Sequence, residues 1–301
     1  MNTLRYYIAS MRLRTLPLSV AGIMMGGMLA ASRGYWSTGS FVWAMLTALS
    51  LQILSNIANE LGDLQKGTDN AQRLGPIRSV QSGKLSAENL KGMLVAFVFI
   101  SIVCGLFLIL KSFHSLFTLS SLNMMALGVL AITAAIKYTF GVKSYGYVGL
   151  GDLFVFLFFG LVSVLGVYFL MAKSLPYAAF LPASSIGLLS TAMLNQNNMR
   201  DIDNDTNFKK RTMVVRMGLN RSKKYHFSLI LTAFLLMTAY CLLLKVSIEG
   251  YLYLLSFPLF VWHLMYVMKN DGKSLDKHMK VIAAGTMLFA VLGGAGLIIA
   301  Y

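Results

Sequence analysis

The sequence predicts an all-α fold, a polytopic membrane bundle of nine transmembrane helices forming one domain over residues 1–301. Three observations predict it. The 301 residues are 57% hydrophobic and 12% charged, with mean hydropathy +0.68, whereas soluble domains carry about 25% charge. Nine apolar runs each approach the roughly 20 residues that a helix needs to cross a bilayer. Basic residues gather in every second connection, the pattern that sets membrane orientation. A strand barrel would need short alternating segments, and these runs do not alternate.

In chain order the expected spans are 16–33, 41–58, 90–110, 116–138, 147–171, 176–196, 225–245, 250–268 and 279–299. The residues before the first run lack a short apolar core ending at a cleavage site, so that run is the expected insertion signal. It carries GIMMGGM at 22–28, small residues spaced for a close helix contact. Tight connections join the third and fourth, fifth and sixth, and seventh and eighth runs. Cys104 and Cys241 fall mid-span without a partner at metal-ligand spacing and read as packing residues. His114, His226, His263 and His278 are scattered along the chain and receive no catalytic role. Residues 1–138 and 139–268 read as two diverged halves, with the last helix added.

The net charge of +15 could suggest nucleic acid, but its distribution argues against that. With the N-terminus in the cytoplasm, 22 of the 26 Lys and Arg lie on the cytoplasmic side. Arg33, Lys111, Lys173 and Lys245 fall outside. The positive-inside rule then gives an N-in, C-out topology, and the excess charge faces anionic lipid.

Two polar stretches interrupt this pattern. Asn59-Glu60-Leu61-Gly62-Asp63 and Asn197-Asn198-Met199-Arg200-Asp201 each follow an apolar run and share the spacing Asn-x-x-x-Asp. Residues four apart share a helix face, so Asn59 and Asp63 form one oxygen-rich edge, and Asn197, Asp201 and Asp205 another. Asp69 follows the first edge, while Asp203 lies on the opposite face of the second. Acid at a membrane boundary is costly and marks a functional site. Behind the acids come Lys66, Arg73 and Arg78 in one loop, and Lys209, Lys210 and Arg211 in the other. Carboxylate and amide oxygens suit Mg²⁺, which often bridges protein carboxylates to phosphates. Arg and Lys take the remaining phosphate oxygens. The pattern therefore points to a Mg²⁺–polyphosphate ligand at the cytoplasmic mouth, with an isoprenoid diphosphate lying among the helices. Tyr138 and Tyr145 are placed to stabilise a carbocation, and Lys143 is within reach of the diphosphate. Asp152, inside the fifth span, is an acid without an assigned role. A carrier of an anionic metabolite or lipid would use the same mouth without chemistry and remains an alternative.

Four blocks make the chain resemble the UbiA superfamily of intramembrane aromatic prenyltransferases, on its naphthoate-prenylating branch. They are RLRTLPLSVAG at 12–22, SNIANELGDLQKGTDNAQRLGPIRSVQSG at 55–83, YGYVGLGDLFVFLFFGLVSVLGVYF at 145–169 and NNMRDIDNDTNFKKRTMVVRMG at 197–218. The resemblance implies Asn59, Asp63, Asp69, Asp201 and Asp205 as Mg²⁺–diphosphate ligands. It implies contacts from Arg12, Lys66, Arg73, Arg78, Lys143, Arg200 and Lys210. The chain departs from the family pattern at Glu60, where Asp is usual, at Leu13 for Pro, and at Lys209 for Gly. The implied reaction joins a polyprenyl diphosphate to 1,4-dihydroxy-2-naphthoate with loss of CO₂ and diphosphate. Another aromatic acid, such as 4-hydroxybenzoate, is the alternative acceptor.

Overall fold

A computed structural model describes residues 4–70, 73–141 and 144–301. Among the described residues there is no strand, and nine helices are long and apolar enough to cross a membrane. Lys143 lies outside the described residues.

The first span is broken. Helix α1 (Leu4–Ser10) ends in a turn, a 3-10 turn covers Leu13–Thr15, and α2 (Leu16–Ala31) follows with Pro17 in its first turn. At the break Arg12 adopts the left-handed conformation, φ 50 and ψ 57, which costs a non-glycine residue energy unless its surroundings impose it. Here they do. Asn56 donates to the Met11 carbonyl at 2.9 Å and to Thr15 at 3.0 Å, and Gln52 donates to Thr15 at 3.1 Å. Two amide side chains of the next helix thus pin the bend.

That next helix, α3 (Thr38–Gln65), runs past residue 58, where the apolar run ends. Glu60, Leu61, Leu64 and Gln65 are good helix formers, so the helix continues beyond its hydrophobic span and carries Asn59 and Asp63 on its last turns. Gly62 permits this geometry: a Cβ there would lie 2.4 Å or more, but under 3 Å, from the backbone of Thr139 and Phe140. Helices α4 (Ala87–Phe113) and α5 (Leu119–Lys137) form a hairpin beside α3. Ser86 and Asn89 make a capping box at the start of α4.

The fifth span has three parts. Helix α6 (Gly151–Val155) opens into a π-helical stretch, Phe156–Val162, before α7 (Ser163–Ala172). Ser163 Oγ bonds the Phe159 and Gly160 carbonyls there. At the widened turn Gly160 meets Gly187 of α8 (Phe180–Arg200), so the two backbones touch. Gly26 of α2 likewise abuts the Val164 backbone, the close contact expected of 22–28. Without a hydrophobic force between helices in lipid, such small-residue contacts and interhelical hydrogen bonds hold a bundle together.

Helix α8 runs to Arg200, and the chain bends at Asp201 (φ −101, ψ 16) into α9 (Ile202–Asn207) and then α10 (Met213–Met217). Helix α11 (Leu219–Leu243) packs along α8. A 3-10 segment, Ile248–Ser256, leads into α12 (Phe257–Lys269), and a second, Gly272–His278, into α13 (Met279–Ala300). The expected starts at 250 and 279 lie close to these boundaries. The histidines are less scattered than their positions suggest. His226 Nε2 and His263 Nε2 are 2.9 Å apart, and His278 stacks on Tyr266 at 3.7 Å between ring centres. The separation along the chain concealed this buried cluster.

Candidate active site

A cavity of about 560 Å³ opens where α3 and α8 end and runs down between α2, α3, α4, α5, α7 and α8. Its deep walls are apolar, among them Leu106, Ile109, Met124, Val167 and Leu170. Its mouth is lined by Arg12, Asn59, Asp63, Arg73, Arg78, Asn197, Asp201, Asp205 and Lys210. The two acidic motifs, more than a hundred residues apart in sequence, converge there. Lys210 Nζ lies 3.9 Å from Asp63 Oδ1 and 3.5 Å from Asp205 Oδ1. The two loops also bond directly: Asn70 donates to Asn204 at 3.1 Å, and Asn204 donates to the Thr68 carbonyl at 3.0 Å.

Each carboxylate has its own support. Asp63 accepts from Tyr147 at 2.9 Å, and Tyr147 is also bonded to Thr68 at 2.6 Å. Arg78 Nη2 is 3.9 Å from Asp63 Oδ2. Asp201 is held by a fork: Arg200 donates through Nε to Oδ1 at 3.1 Å and through Nη2 to Oδ2 at 2.6 Å. Burial pushes Asp201 up, but that fork outweighs it and holds the carboxyl below its ordinary range. Asp205 has no such partner. Burial, with Asp201 and Asp63 nearby, pushes it up to about 6 against the pull of Lys210. Burial acts to lower Lys210, yet Asp63 and Asp205 hold it above the ordinary lysine range.

Not every expected residue faces the cavity. Asp69 stands behind the wall, gripping Arg73 and Arg78, each through Nε at 3.2 Å. It therefore orients the two guanidinium groups that do line the mouth. Arg200 is fully buried and turned toward Asp201, Asn197 and Asp276, away from the lining. Lys66 bonds Ser144 and sits over the Tyr147 ring at 3.8 Å, outside the lining. Asp203 is exposed, on the face opposite the site. Tyr138 and Tyr145 both line the cavity, edge to face at 5.3 Å, and Tyr145 stacks on Phe154 at 3.9 Å. Asp152 is buried with one oxygen lacking a partner, and it does not reach the lining.

Sequence reasoning missed Thr68, Tyr147, Asn198, Asn204 and Asp276. Asn198 and Asn204 stand within the second polar stretch but off its four-residue edge, while Thr68, Tyr147 and Asp276 are single polar residues that no spacing marks. Tyr147 alone carries a hint, since it alternates with Tyr145 in YGYVG.

Two features show what the mouth lacks. Arg12 lines it with Nε and Nη2 buried and unpartnered, although buried charge is normally paired. The buried Asp205 Oδ2 also lacks a partner. An anion suits the first and a cation the second. The donor set is all oxygen, as Mg²⁺ prefers. Among the described residues no three acidic, His or Cys side chains enclose one point. Mg²⁺ needs no such cage, since it commonly takes one or two carboxylates, waters and substrate phosphates. The residues fit the ion.

The fold and site together define a class: a multi-pass membrane protein with a mouth of paired acids and bases over an apolar chamber. The chain belongs to the UbiA prenyltransferase family, whose model matches residues 19–292. It is 39% identical to a 1,4-dihydroxy-2-naphthoate octaprenyltransferase of Haemophilus influenzae, over 98% of this chain and 96% of that one. It is also 39% identical to the Escherichia coli protein of the same name, over 95% and 92% of the two chains. In solved structures the fold recurs in a UbiA homologue from Aeropyrum pernix K1, with TM-score 0.69 and 14% identity over 94% and 97% of the chains. It recurs also in one from Archaeoglobus fulgidus bound to DMAPP and Mg²⁺, with TM-score 0.61 and 16% identity over 96% and 99%.

Proposed function

We propose that this protein transfers a polyprenyl group from its diphosphate to 1,4-dihydroxy-2-naphthoate, releasing diphosphate and CO₂ and giving the prenylated naphthalenediol, the reduced form of demethylmenaquinone. The observation that carries the reading is the convergence of both acidic motifs on Lys210 at the mouth of an apolar chamber. The names of the relatives from Haemophilus influenzae and Escherichia coli support the substrate pair. Mg²⁺ is the proposed cofactor, held by Asn59, Asp63, Asn197, Asp201 and Asp205, with Asp69 behind them. When bound, it neutralises the leaving diphosphate.

The chain's own residues do the rest. Arg12, Arg73, Arg78 and Lys210 bind and orient the diphosphate, and Arg12 gains the anionic partner that its buried donors lack. Charge developing on the departing oxygens meets these preorganised cations in a site shielded from water. The prenyl tail lies along the apolar wall. Tyr138 and Tyr145 turn aromatic surface toward the allylic carbon as positive charge develops there. With the N-terminus inside, the mouth faces the cytoplasm of a bacterial inner membrane, where a soluble aromatic acid can enter.

The test is direct. Membranes containing the protein are incubated with Mg²⁺, a prenyl diphosphate and either 1,4-dihydroxy-2-naphthoate or 4-hydroxybenzoate, and products are identified by mass. A decarboxylated prenyl-naphthalenediol is expected. Prenylated hydroxybenzoate alone would move the chain to the other acceptor, and diphosphate release from neither mixture would refute prenyl transfer.

A further inference from the structure

The connection between α12 and α13 reaches the site through one side chain that no motif marks. Asp276 Oδ1 accepts from Arg200 Nη1 at 2.6 Å and from Arg14 Nη1 at 3.4 Å. Arg200 is fully buried, and its other donors are committed to the second motif: Nε and Nη2 to the two Asp201 oxygens, and Nη2 also to Asn197 Oδ1 at 2.9 Å. One guanidinium plane therefore carries three oxygens of the second motif on one side and is fastened on the other by Asp276. A planar fork transmits orientation in this way, as a flexible ammonium would not.

Charge points in the same direction. Were Arg200 paired with Asp201 alone, the two charges would cancel and leave little attraction for a cation. Shared between Asp201 and Asp276, the guanidinium neutralises Asp201 less completely. Arg14, the second contact, belongs to the 3-10 turn that follows Arg12. Asp276 thus also ties down the segment presenting the unpaired guanidinium of Arg12.

We infer that Asp276 is a positioning residue: through Arg200 it fixes Asp201 and Asn197, and through Arg14 it fixes the Arg12 turn. It does not line the cavity and acts only through these partners. The inference rests on the Mg²⁺ reading above. Removing an outer partner of a metal ligand typically lowers metal affinity 10–100-fold.

The experiment is a Mg²⁺ titration of the purified full-length protein with a non-reactive prenyl thiolodiphosphate, read by thermal unfolding. Asp276→Asn should need about 10-fold more Mg²⁺ than wild type for its half-maximal shift. Asp276→Glu, which keeps the charge but displaces it by one methylene, should fall between, about 3-fold above wild type. The KM for the aromatic acid at saturating Mg²⁺ should not change. A Mg²⁺ midpoint equal to wild type in Asp276→Asn overturns the inference, even if the unfolding temperature falls, because that result marks a structural role alone. Should Asp276→Asn not be recovered folded, an unchanged midpoint in Asp276→Glu overturns it equally. Absence of any Mg²⁺ response in wild type would refute the metal reading itself, and this inference with it.

Discussion

The two acidic motifs share a spacing, yet their carboxylates are held by opposite means. Asp63 sits on an unbroken helix and is oriented by a neutral hydroxyl, Tyr147, with Arg78 and Lys210 standing off at 3.9 Å. Asp201 sits at a helix bend and is gripped by a buried guanidinium at 2.6 Å. The first arrangement keeps the carboxylate's charge available and its position adjustable. The second fixes position firmly, through a guanidinium that is itself fastened to another acid, Asp276. Two loops that look equivalent in sequence thus divide the work, one staying responsive and the other rigid.

Five substitutions break or sharpen that contrast, in falling order of effect. Asp63→Ala and Asp201→Ala should each reduce prenyl transfer by at least about 10³-fold, measured as product mass from membranes with equal protein content. Substantial activity in either would mean that the motifs do not share one ligand. Arg200→Lys keeps the charge but loses the fork, and turnover should drop by about 10²-fold; a drop no larger than that of Tyr147→Phe would erase the claimed difference in rigidity. Tyr147→Phe removes a hydrogen bond to a charged group, worth roughly 1.5–3 kcal/mol, together with the bond to Thr68, so kcat should fall by about 10-fold or somewhat more. Asp203→Asn, on the exposed face, should leave kcat and KM within about 2-fold of wild type, since surface changes seldom matter.

Stability offers a separate check on the first loop. Gly62→Ala would force a methyl group against the Thr139 and Phe140 backbone. Overpacking of this kind typically costs about 1–3 kcal/mol, seen as a lower unfolding temperature in detergent.

Much of this was legible beforehand, for physical reasons. Hydropathy marks spans because lipid tolerates so little else, and Asn-x-x-x-Asp marks two polar edges that meet at the cavity mouth because helix geometry repeats every four residues. Span ends were less legible: α3 and α8 continue to Gln65 and Arg200 because helix propensity does not stop where hydrophobicity does. The support of the site was hidden almost entirely. Tyr147, Asn204 and Asp276 act across long sequence gaps, and nothing beside them along the chain reports the neighbour they meet in space. Arg200 and Asp69 illustrate the converse: their charge was visible, but not that they face other side chains of the mouth instead of the cavity. Two acids without an assigned task, Asp152 and Asp203, also separate only in space, one buried and one exposed.

The widened turn at Phe156–Val162 has a consequence for spacing along the chain. A π-helical turn holds more residues than an α-turn, and each residue rotates a helix by about 100°. Were all the residues of 156–162 wound as a regular α-helix instead, everything upstream would swing by roughly that angle relative to the Gly160–Gly187 contact. Tyr147 would turn away from Asp63 although neither residue had been altered. The irregular winding thus acts as a phase adjuster, keeping a distant hydroxyl aimed at a carboxylate on another helix.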